Sequence, residues 1–263
     1  MGVLYLVPTP IGNYEDMTLR GVDVLNSCDF IYSNDNKVKG LLDYYNIEKV
    51  LKLIDKEEIL HNLEDGKMVA IINEEGYAGV DVITHDITKE ALSNGSDVIA
   101  IPGANHLLTG LVTSGIPCDK FLYYGFLSKD TEAKRDELAS IIDVDRTIVL
   151  FEYCENLKDT LDVLYDVFKN RAAVLCFNLT KENEKYIRFN LGDEIEKVTT
   201  DEKIVIVIEG AKIKSSVQRL NEMDIEDHYK YYLKQGLDNK EAMKKVAKDR
   251  GVSKSDIYRV INK

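Results

Sequence analysis

Two short turns in the first half of the chain combine proline and glycine directly after apolar runs that are typical of strands. Pro8-Thr9-Pro10-Ile11-Gly12 follows residues 2–7, and Pro102-Gly103-Ala104 follows residues 97–101. Proline stiffens a turn, and glycine lets backbone amides approach a ligand closely. Because ligands of parallel sheets bind at the carboxyl ends of the strands, the two turns are candidates for a site lined by backbone. Each turn taken alone is equally typical of an ordinary tight turn.

The sequence lacks the patterns of several common sites. No G-x-G-x-x-G follows the first strand and no G-K-[ST] occurs, which argues against an ordinary dinucleotide or P-loop enzyme. The four histidines are scattered, and the cysteines have neither zinc-site spacing nor the pattern of a disulfide framework. We therefore predict no metal site and a reducing, cytoplasmic environment. An apolar run of about 20 residues, as a membrane span requires, is also missing.

The elements that hold the two turns alternate between strand and helix. Apolar runs predict strands near residues 2–7, 30–33, 68–72 and 97–101. Helical spacing predicts helices between them, which cover Leu19 to Leu25, Lys37 to Tyr45, Asp55 to Glu64, Thr84 to Ser93 and His106 to Thr113. Strands that alternate with helices require crossover connections. Residues 1–117 are therefore predicted to form an α/β domain with a parallel sheet.

The pattern changes near residue 118. Further strands are expected at 121–126, 147–151, 172–177, 185–190 and 203–209, with long helices at about 131–142 and 156–169. This order predicts a second α/β domain with a mixed sheet over residues 118–210. Residues 211–263 are polar and predicted to be a helical tail. The fold class is thus α/β, with two domains, a cleft between them and a small helical appendage.

Charge is distributed unevenly along the chain, whose net charge is −12. Residues 1–210 hold 21 basic and 38 acidic side chains, a net of −17, whereas residues 211–263 hold 13 and 8, a net of +5. An acidic body argues against a broad surface for polyanions, since phosphate contacts depend on Lys and Arg. The basic tail is either a solvated helical surface or a contact for a phosphate backbone. Residues 247–253 also resemble the turn of a helix-turn-helix, which leaves DNA binding as an alternative.

Residues 4–13, followed by Asp16-Met17-Thr18-Leu19-Arg20, closely resemble the ribosomal RNA small-subunit methyltransferase I family. The same register continues at 101–108, 114–127, 146–152, 179–181, 209–210 and 240–261, and residues 102–106 match the family's Pro-Gly-Pro-Ser-Ala-type loop. The resemblance implies a tetrapyrrole methylase fold and 2′-O-methylation of a cytidine in 16S rRNA. It also implies a homodimer and S-adenosylmethionine in the cleft between the domains. The cofactor-binding residues that it implies are Pro8, Pro10, Gly12, Gly76, Gly103, Asn105, Leu179 and Thr180.

The chain departs from the family's pattern where polar side chains are expected. The family's Glu-Asp-Thr-Arg is Asn34-Asp35-Asn36-Lys37 here, its Ser-Asp-Ala-Gly-Thr-Pro is residues 73–78, and its His-Arg is Glu155-Asn156. The ionisable candidates for catalysis that remain are Asp35, Lys37 and Glu152. Asp35 is expected to accept the hydroxyl proton or to orient the hydroxyl, and Lys37 to neutralise a phosphate or the forming alkoxide. The alternative for each is an ion pair without a catalytic role.

Three functions follow from these observations. The first is a methyltransferase that uses S-adenosylmethionine and acts on small-subunit rRNA. The second is a methylase of a tetrapyrrole or another small molecule, as the wider fold implies. The third is a protein that keeps the fold without turnover, because several motifs are altered. The tyrosine pairs at 44–45, 123–124 and 231–232 either stack on bases or pack in the protein interior.

Overall fold

The computed structural model describes residues 1–78, 82–196, 199–200, 203–212 and 220–261. These residues form two compact units, Met1–Ala211 and Lys212–Lys263. The first unit holds two five-stranded sheets, and the second is helical. The predicted α/β class with a helical appendage is confirmed. The predicted domain boundary at 117/118 falls between the two sheets and stays a prediction.

The first sheet is parallel throughout, in the order β3-β2-β4-β1-β5. Its strands are β1 (Val3–Leu6), β2 (Phe30–Tyr32), β3 (Leu51–Lys52), β4 (Met68–Ile71) and β5 (Asp97–Ala100). The helices that connect them are α1 (Leu19–Ser27), α2 (Val38–Tyr44), α3 (Lys56–Glu64) and α4 (Val82–Ser93), and α5 (His106–Ser114) follows β5. Parallel order brings the turns after β1, β4 and β5 to one edge of the sheet.

Local capping explains why several of these helices begin where they do. Thr18 accepts a hydrogen bond from the backbone N–H of Gly21, and Asp55 accepts one from that of Glu58. Each side chain satisfies an N–H that has no partner within the helix. Apart from β3, the predicted strands and helices of this region agree with the structure to within a few residues. The two-residue strand β3 was not predicted.

The second sheet is mixed, in the order β6-β7-β10-β8-β9: β6 and β7 pair in parallel, and β7–β10, β10–β8 and β8–β9 are antiparallel pairs. Its strands are β6 (Phe121–Phe126), β7 (Thr147–Tyr153), β8 (Ala172–Phe177), β9 (Lys185–Asn190) and β10 (Lys203–Ile208). Helices α6 (Thr131–Ser140) and α7 (Cys154–Phe168) cover one face, where Leu150 and Ile206 pack with Leu138. The opposite face, with Val149 and Val205, packs with Leu111 of α5.

The second unit contains helices α8 (Ile225–Lys234), α9 (Asn239–Arg250) and α10 (Lys254–Ile261). They share a small core that includes Tyr232, Val246 and Ile257. The predicted tail also includes residues 213–219 and 262–263, which lie outside the described residues. In the described part of the chain, no helix combines the length and apolar character needed to cross a bilayer.

Candidate cofactor cleft and catalytic site

The turns after β1 and β4 are joined to each other by backbone hydrogen bonds. The N–H of Thr9 donates to the carbonyl of Gly76 and the N–H of Gly76 donates to that of Thr9, both at 3.0 Å. The buried hydroxyl of Thr9 donates to the carbonyls of Asn73 (2.9 Å) and Glu74 (3.1 Å). Gly76 has φ of +73°, a conformation that favours glycine. The predicted residues Pro8, Pro10 and Gly76 therefore belong to one loop cluster.

The turn after β5 packs against the same cluster. A Cβ atom on Gly103 would lie 2.4 Å from Cγ of Pro8, so glycine is required for the two loops to meet. From the sequence, we expect the lack of a side chain at Gly103 to let a ligand approach the backbone. That expectation is corrected, because the ring of Pro8 occupies the place where a Cβ would lie. The side chain of Asn105 accepts a hydrogen bond from the N–H of Leu108 and caps α5.

A loop of the second sheet completes the cluster. A Cβ on Gly12 would lie 2.6 Å from the carbonyl oxygen of Leu179 and 2.8 Å from Oγ1 of Thr180. Thr180 has φ of +66°, which is rare for a β-branched residue. Its buried Oγ1 has no hydrogen-bond partner among the described residues. A buried hydroxyl without a partner among the described residues fits a site for a polar ligand, such as the S-adenosylmethionine that the sequence resemblance implies. All eight residues predicted to bind the cofactor thus lie in four loops that meet.

Sequence reasoning missed a contact between a histidine and a glutamate in this cluster. Nε2 of His106, the first residue of α5, lies 3.1 Å from Oε2 of Glu75, and both side chains are largely buried. Burial opposes ionisation of Glu75, but the hydrogen bond and charge of His106 outweigh it, with smaller effects of Lys203 and Lys181. The pKa of the Glu75 carboxyl is therefore below its ordinary value. The sequence did contain a signal for this pair, because the resembling family has alanine at the positions of both Glu75 and His106.

Asp35 and Lys37 lie together after β2, close to the turn after β4. The backbone N–H of Lys37 donates to Oδ1 of Asp35 at 2.8 Å, and Nζ of Lys37 lies 2.6 Å from Oε1 of Glu74. The hydrogen bond from the Lys37 backbone, followed by one to Glu74, lowers the pKa of Asp35. A lowered pKa keeps Asp35 ionised but makes it a weaker base, which favours orienting a hydroxyl over accepting its proton.

Glu152 lies away from this group. On β7 it shares the face of Ile148 and Leu150, which α6 and α7 cover, because side chains of a strand alternate. The hydroxyl of Thr160 donates to Oε2 of Glu152 at 2.6 Å, and Nζ of Lys134 donates to that hydroxyl at 2.7 Å. All three side chains are buried. The structure thus places Glu152 in a polar network under α6 and α7 and not with Asp35 and Lys37.

A cavity of about 1150 Å³ lies at another place in the first unit. It opens beside Tyr153, and α7 and the segment after β9 line it. No described residue of the four loops of the cluster contributes to its lining. The cavity is therefore a feature separate from the loop cluster.

Comparison with known proteins decides the family. The model of the tetrapyrrole (corrin/porphyrin) methylases matches residues 3–195. A protein of Bacillus subtilis named ribosomal RNA small subunit methyltransferase I is 34% identical over 98% of this chain and 93% of its own length. A protein of Halalkalibacterium halodurans with the same name is 32% identical over 98% of this chain and 94% of its own.

The chain belongs to the ribosomal RNA small subunit methyltransferase I family of tetrapyrrole methylases. The resemblance seen in the sequence motifs is confirmed, and the protein is a methyltransferase that uses S-adenosylmethionine. Solved structures support the fold of this methyltransferase. The uroporphyrin-III-C-methyltransferase of Thermus thermophilus is similar with a TM-score of 0.58 and 17% identity, over 80% of this chain and 94% of that one. Diphthine synthase has the same TM-score and 14% identity, over 79% and 90% of the two chains.

Proposed function

We propose that this methyltransferase methylates the 2′-hydroxyl of a cytidine in small-subunit rRNA. The observation that carries the proposal is the similarity of nearly the whole chain to relatives named for that RNA. The basic second unit, with a net charge of +5 over residues 211–263, supports a polyanionic substrate.

Four loops would hold the cofactor. The residues of these loops that would bind it are those named above: Pro8, Pro10, Gly12, Gly76, Gly103, Asn105, Leu179 and Thr180. Most of them offer backbone groups or glycine-permitted packing, so the site tolerates changes of neighbouring side chains. The Oγ1 of Thr180 is a buried polar side-chain atom at the junction of the loops, and none of the described residues forms a hydrogen bond with it. When bound, S-adenosylmethionine supplies an electrophilic methyl group.

Asp35 and Lys37 would act on the RNA. In the reaction a bond forms between the methyl carbon and the ribose 2′-oxygen, the bond from that carbon to sulfur breaks, and the hydroxyl proton leaves. We assign Asp35 the role of orienting the hydroxyl, since its pKa is lowered, and water the role of accepting the proton. Lys37 is 74% exposed at its side chain and is paired with Glu74. Its ammonium group would offset the charge of a phosphate or of the developing alkoxide.

The homodimer that the resemblance implies and the cytoplasmic location that the cysteine pattern predicts belong to the same proposal. Light scattering coupled to size exclusion would give twice the chain mass of 29.9 kDa for a dimer. A mass equal to one chain would contradict the dimer.

Transfer of label from S-adenosylmethionine tests the reaction. Undermethylated small ribosomal subunits, a porphyrin substrate and no substrate would be compared with the same enzyme preparation. Label in rRNA supports the proposal, and label in the porphyrin supports a small-molecule methylase instead. Cofactor binding without any transfer would mean that the fold is kept without catalysis. Asp35→Asn is expected to lose transfer while cofactor affinity is unchanged.

A further inference from the structure

Two exposed aromatic rings lie side by side at the carboxyl ends of β6 and β7. Phe126 is the last residue of β6 and Tyr153 the last of β7, and each is 44% exposed. Their ring centroids are 5.2 Å apart and their planes differ by 16°. This is an offset stack of two aromatic rings. We call Phe126 and Tyr153 the aromatic platform.

A β-bulge directs Phe126 to this position. The register between β6 and β7 shifts between Tyr123 and Gly125, and Gly125 has φ of +83°. In a regular strand, residues 123 and 126 would lie on opposite faces. Here both rings contact Phe151 edge to face, with centroid distances of 5.3 and 5.6 Å. Bulges are frequent next to active sites, where they re-aim a side chain.

The platform is continuous with the loop cluster. Phe151, which supports Phe126, is 9% exposed, and the ring of His106 lies 6.3 Å from it. His106 in turn pairs with Glu75 beside Gly76. The exposed rings therefore lie at the same end of the second sheet as the residues that would hold the cofactor.

The surroundings of the platform disfavour an anionic ligand group. Tyr153 also lines the cavity of about 1150 Å³ described above. Carboxylates are numerous in its lining, which includes Glu155, Asp162, Asp193, Glu194 and Glu196. Carboxylates repel phosphate, so the RNA backbone does not suit this place. The nucleobase is the part of a nucleotide that is flat and carries no formal charge, so it suits this place better than the phosphate does.

We propose that the aromatic platform stacks on a nucleobase of the RNA segment that carries the methylated nucleotide. The inference rests on the proposed rRNA substrate and names Phe126 and Tyr153 as positioning residues for it. Unstacked bases of single-stranded RNA are recognised on aromatic side chains, and such stacking is sequence-tolerant. Holding one base would fix the neighbouring ribose relative to the loop cluster.

The chain contains no tryptophan, so one introduced indole reports on the platform alone. Phe126→Trp in the full chain would be titrated with a short single-stranded RNA that contains cytidine, with S-adenosylmethionine and with a porphyrin. Phe121→Trp is the matched control, since Phe121 begins the same strand and is 37% exposed. We expect RNA to quench the indole at position 126 and not that at position 121. Quenching by the cofactor or by the porphyrin in place of RNA would overturn the proposal, as would no quenching.

A second variant series separates this inference from the proposed reaction. Phe126→Ala is expected to weaken RNA binding about tenfold, and Phe126→Tyr to restore it, while cofactor affinity stays unchanged. If the wild-type protein methylates rRNA and Phe126→Ala binds RNA normally, the platform is refuted and the reaction stands. If RNA quenches the indole but no methyl is transferred, the reaction fails and the platform stands.

Discussion

Nε2 of His106 lies 3.1 Å from Oε2 of Glu75, and this pair joins the loop after β4 to the start of α5. Both residues stand where the family resemblance gives alanine. Two departures that look unrelated in the sequence are thus complementary in space. The pair also ties together two of the four loops that would hold the cofactor.

Glu75→Gln is expected to reduce the free energy of unfolding at neutral pH by about 1.5–3 kcal/mol, since a hydrogen bond to a charged group is lost. Because the pKa of Glu75 is lowered in the folded protein, the ionised carboxylate stabilises the fold above its ordinary pKa. This stabilisation disappears as pH falls through the lowered pKa. Urea unfolding at several pH values should therefore show a difference between wild type and variant that shrinks toward acid. Glu64→Gln, at an exposed position, is the control, and a difference independent of pH would contradict the argument.

Gly103→Val is expected to weaken binding of S-adenosylmethionine at least tenfold, about 1.4 kcal/mol. The valine side chain would displace Pro8, which lies 2.4 Å from the position of an added Cβ. Calorimetry measures the affinity. Ala100→Val adds similar bulk at an exposed residue of β5 and should leave binding unchanged. Normal affinity of the Gly103 variant would remove this turn from the cofactor site.

Thr160→Val is expected to reduce the free energy of unfolding by about 1–3 kcal/mol. Its hydroxyl links the buried side chains of Glu152 and Lys134, and valine leaves both without that partner. Chemical denaturation measures the change, with Thr131→Val at an exposed position of α6 as control. Cofactor affinity should not change, since the network lies on the far face of the sheet. A loss of affinity without a loss of stability would place Glu152 in the active site after all.

The sequence predicted most of the fold because its signals are local. Thr18 and Asp55 mark the starts of α1 and α3 through hydrogen bonds to residues three positions along the chain. Strand β3 has only two residues, and its pairing with β2 depends on residues far away in sequence. No local pattern reveals such a strand.

The loops that form the candidate site could be predicted from the sequence, but the contacts between their side chains could not. The place of Glu152 could have been found by alternation, since Val149 and Phe151 face one way and Ile148 and Leu150 the other. The pairing of Glu75 with His106 joins residues of two different loops, and only the folded chain brings them together. Gly103 is required because Pro8 packs against it, and Pro8 is far from it in sequence.

RNA binding should depend on one face of α9. Lys240, Lys244 and Lys248 are exposed and follow one another at i, i+4 on this helix. Arg250 is different, because it donates to His228 and to backbone carbonyls of Leu220 and Met223 and so stabilises the helical unit. Arg250 is therefore not counted with the three lysines as a contact for RNA.

Replacing the three lysines of α9 by glutamine should weaken RNA binding and flatten its salt dependence. Each lost phosphate contact reduces the slope of log affinity against log salt by about 0.7–0.9. The control variant replaces three exposed lysines of the first unit, Lys39, Lys67 and Lys129, by glutamine. It changes the net charge by the same amount. Cofactor binding should be unchanged in both variants. An unchanged slope in the α9 variant would return the RNA contacts to the first unit.

The central claim is methyl transfer to a ribose hydroxyl of small-subunit rRNA, and nucleoside analysis of the labelled product tests it most directly. Undermethylated small subunits would be incubated with the protein and isotopically labelled S-adenosylmethionine, and the rRNA digested to nucleosides for mass spectrometry. We predict label in 2′-O-methylcytidine, which is lost with Asp35→Asn. Label in a base-methylated nucleoside, or rRNA without label from a preparation that binds the cofactor, would contradict the claim.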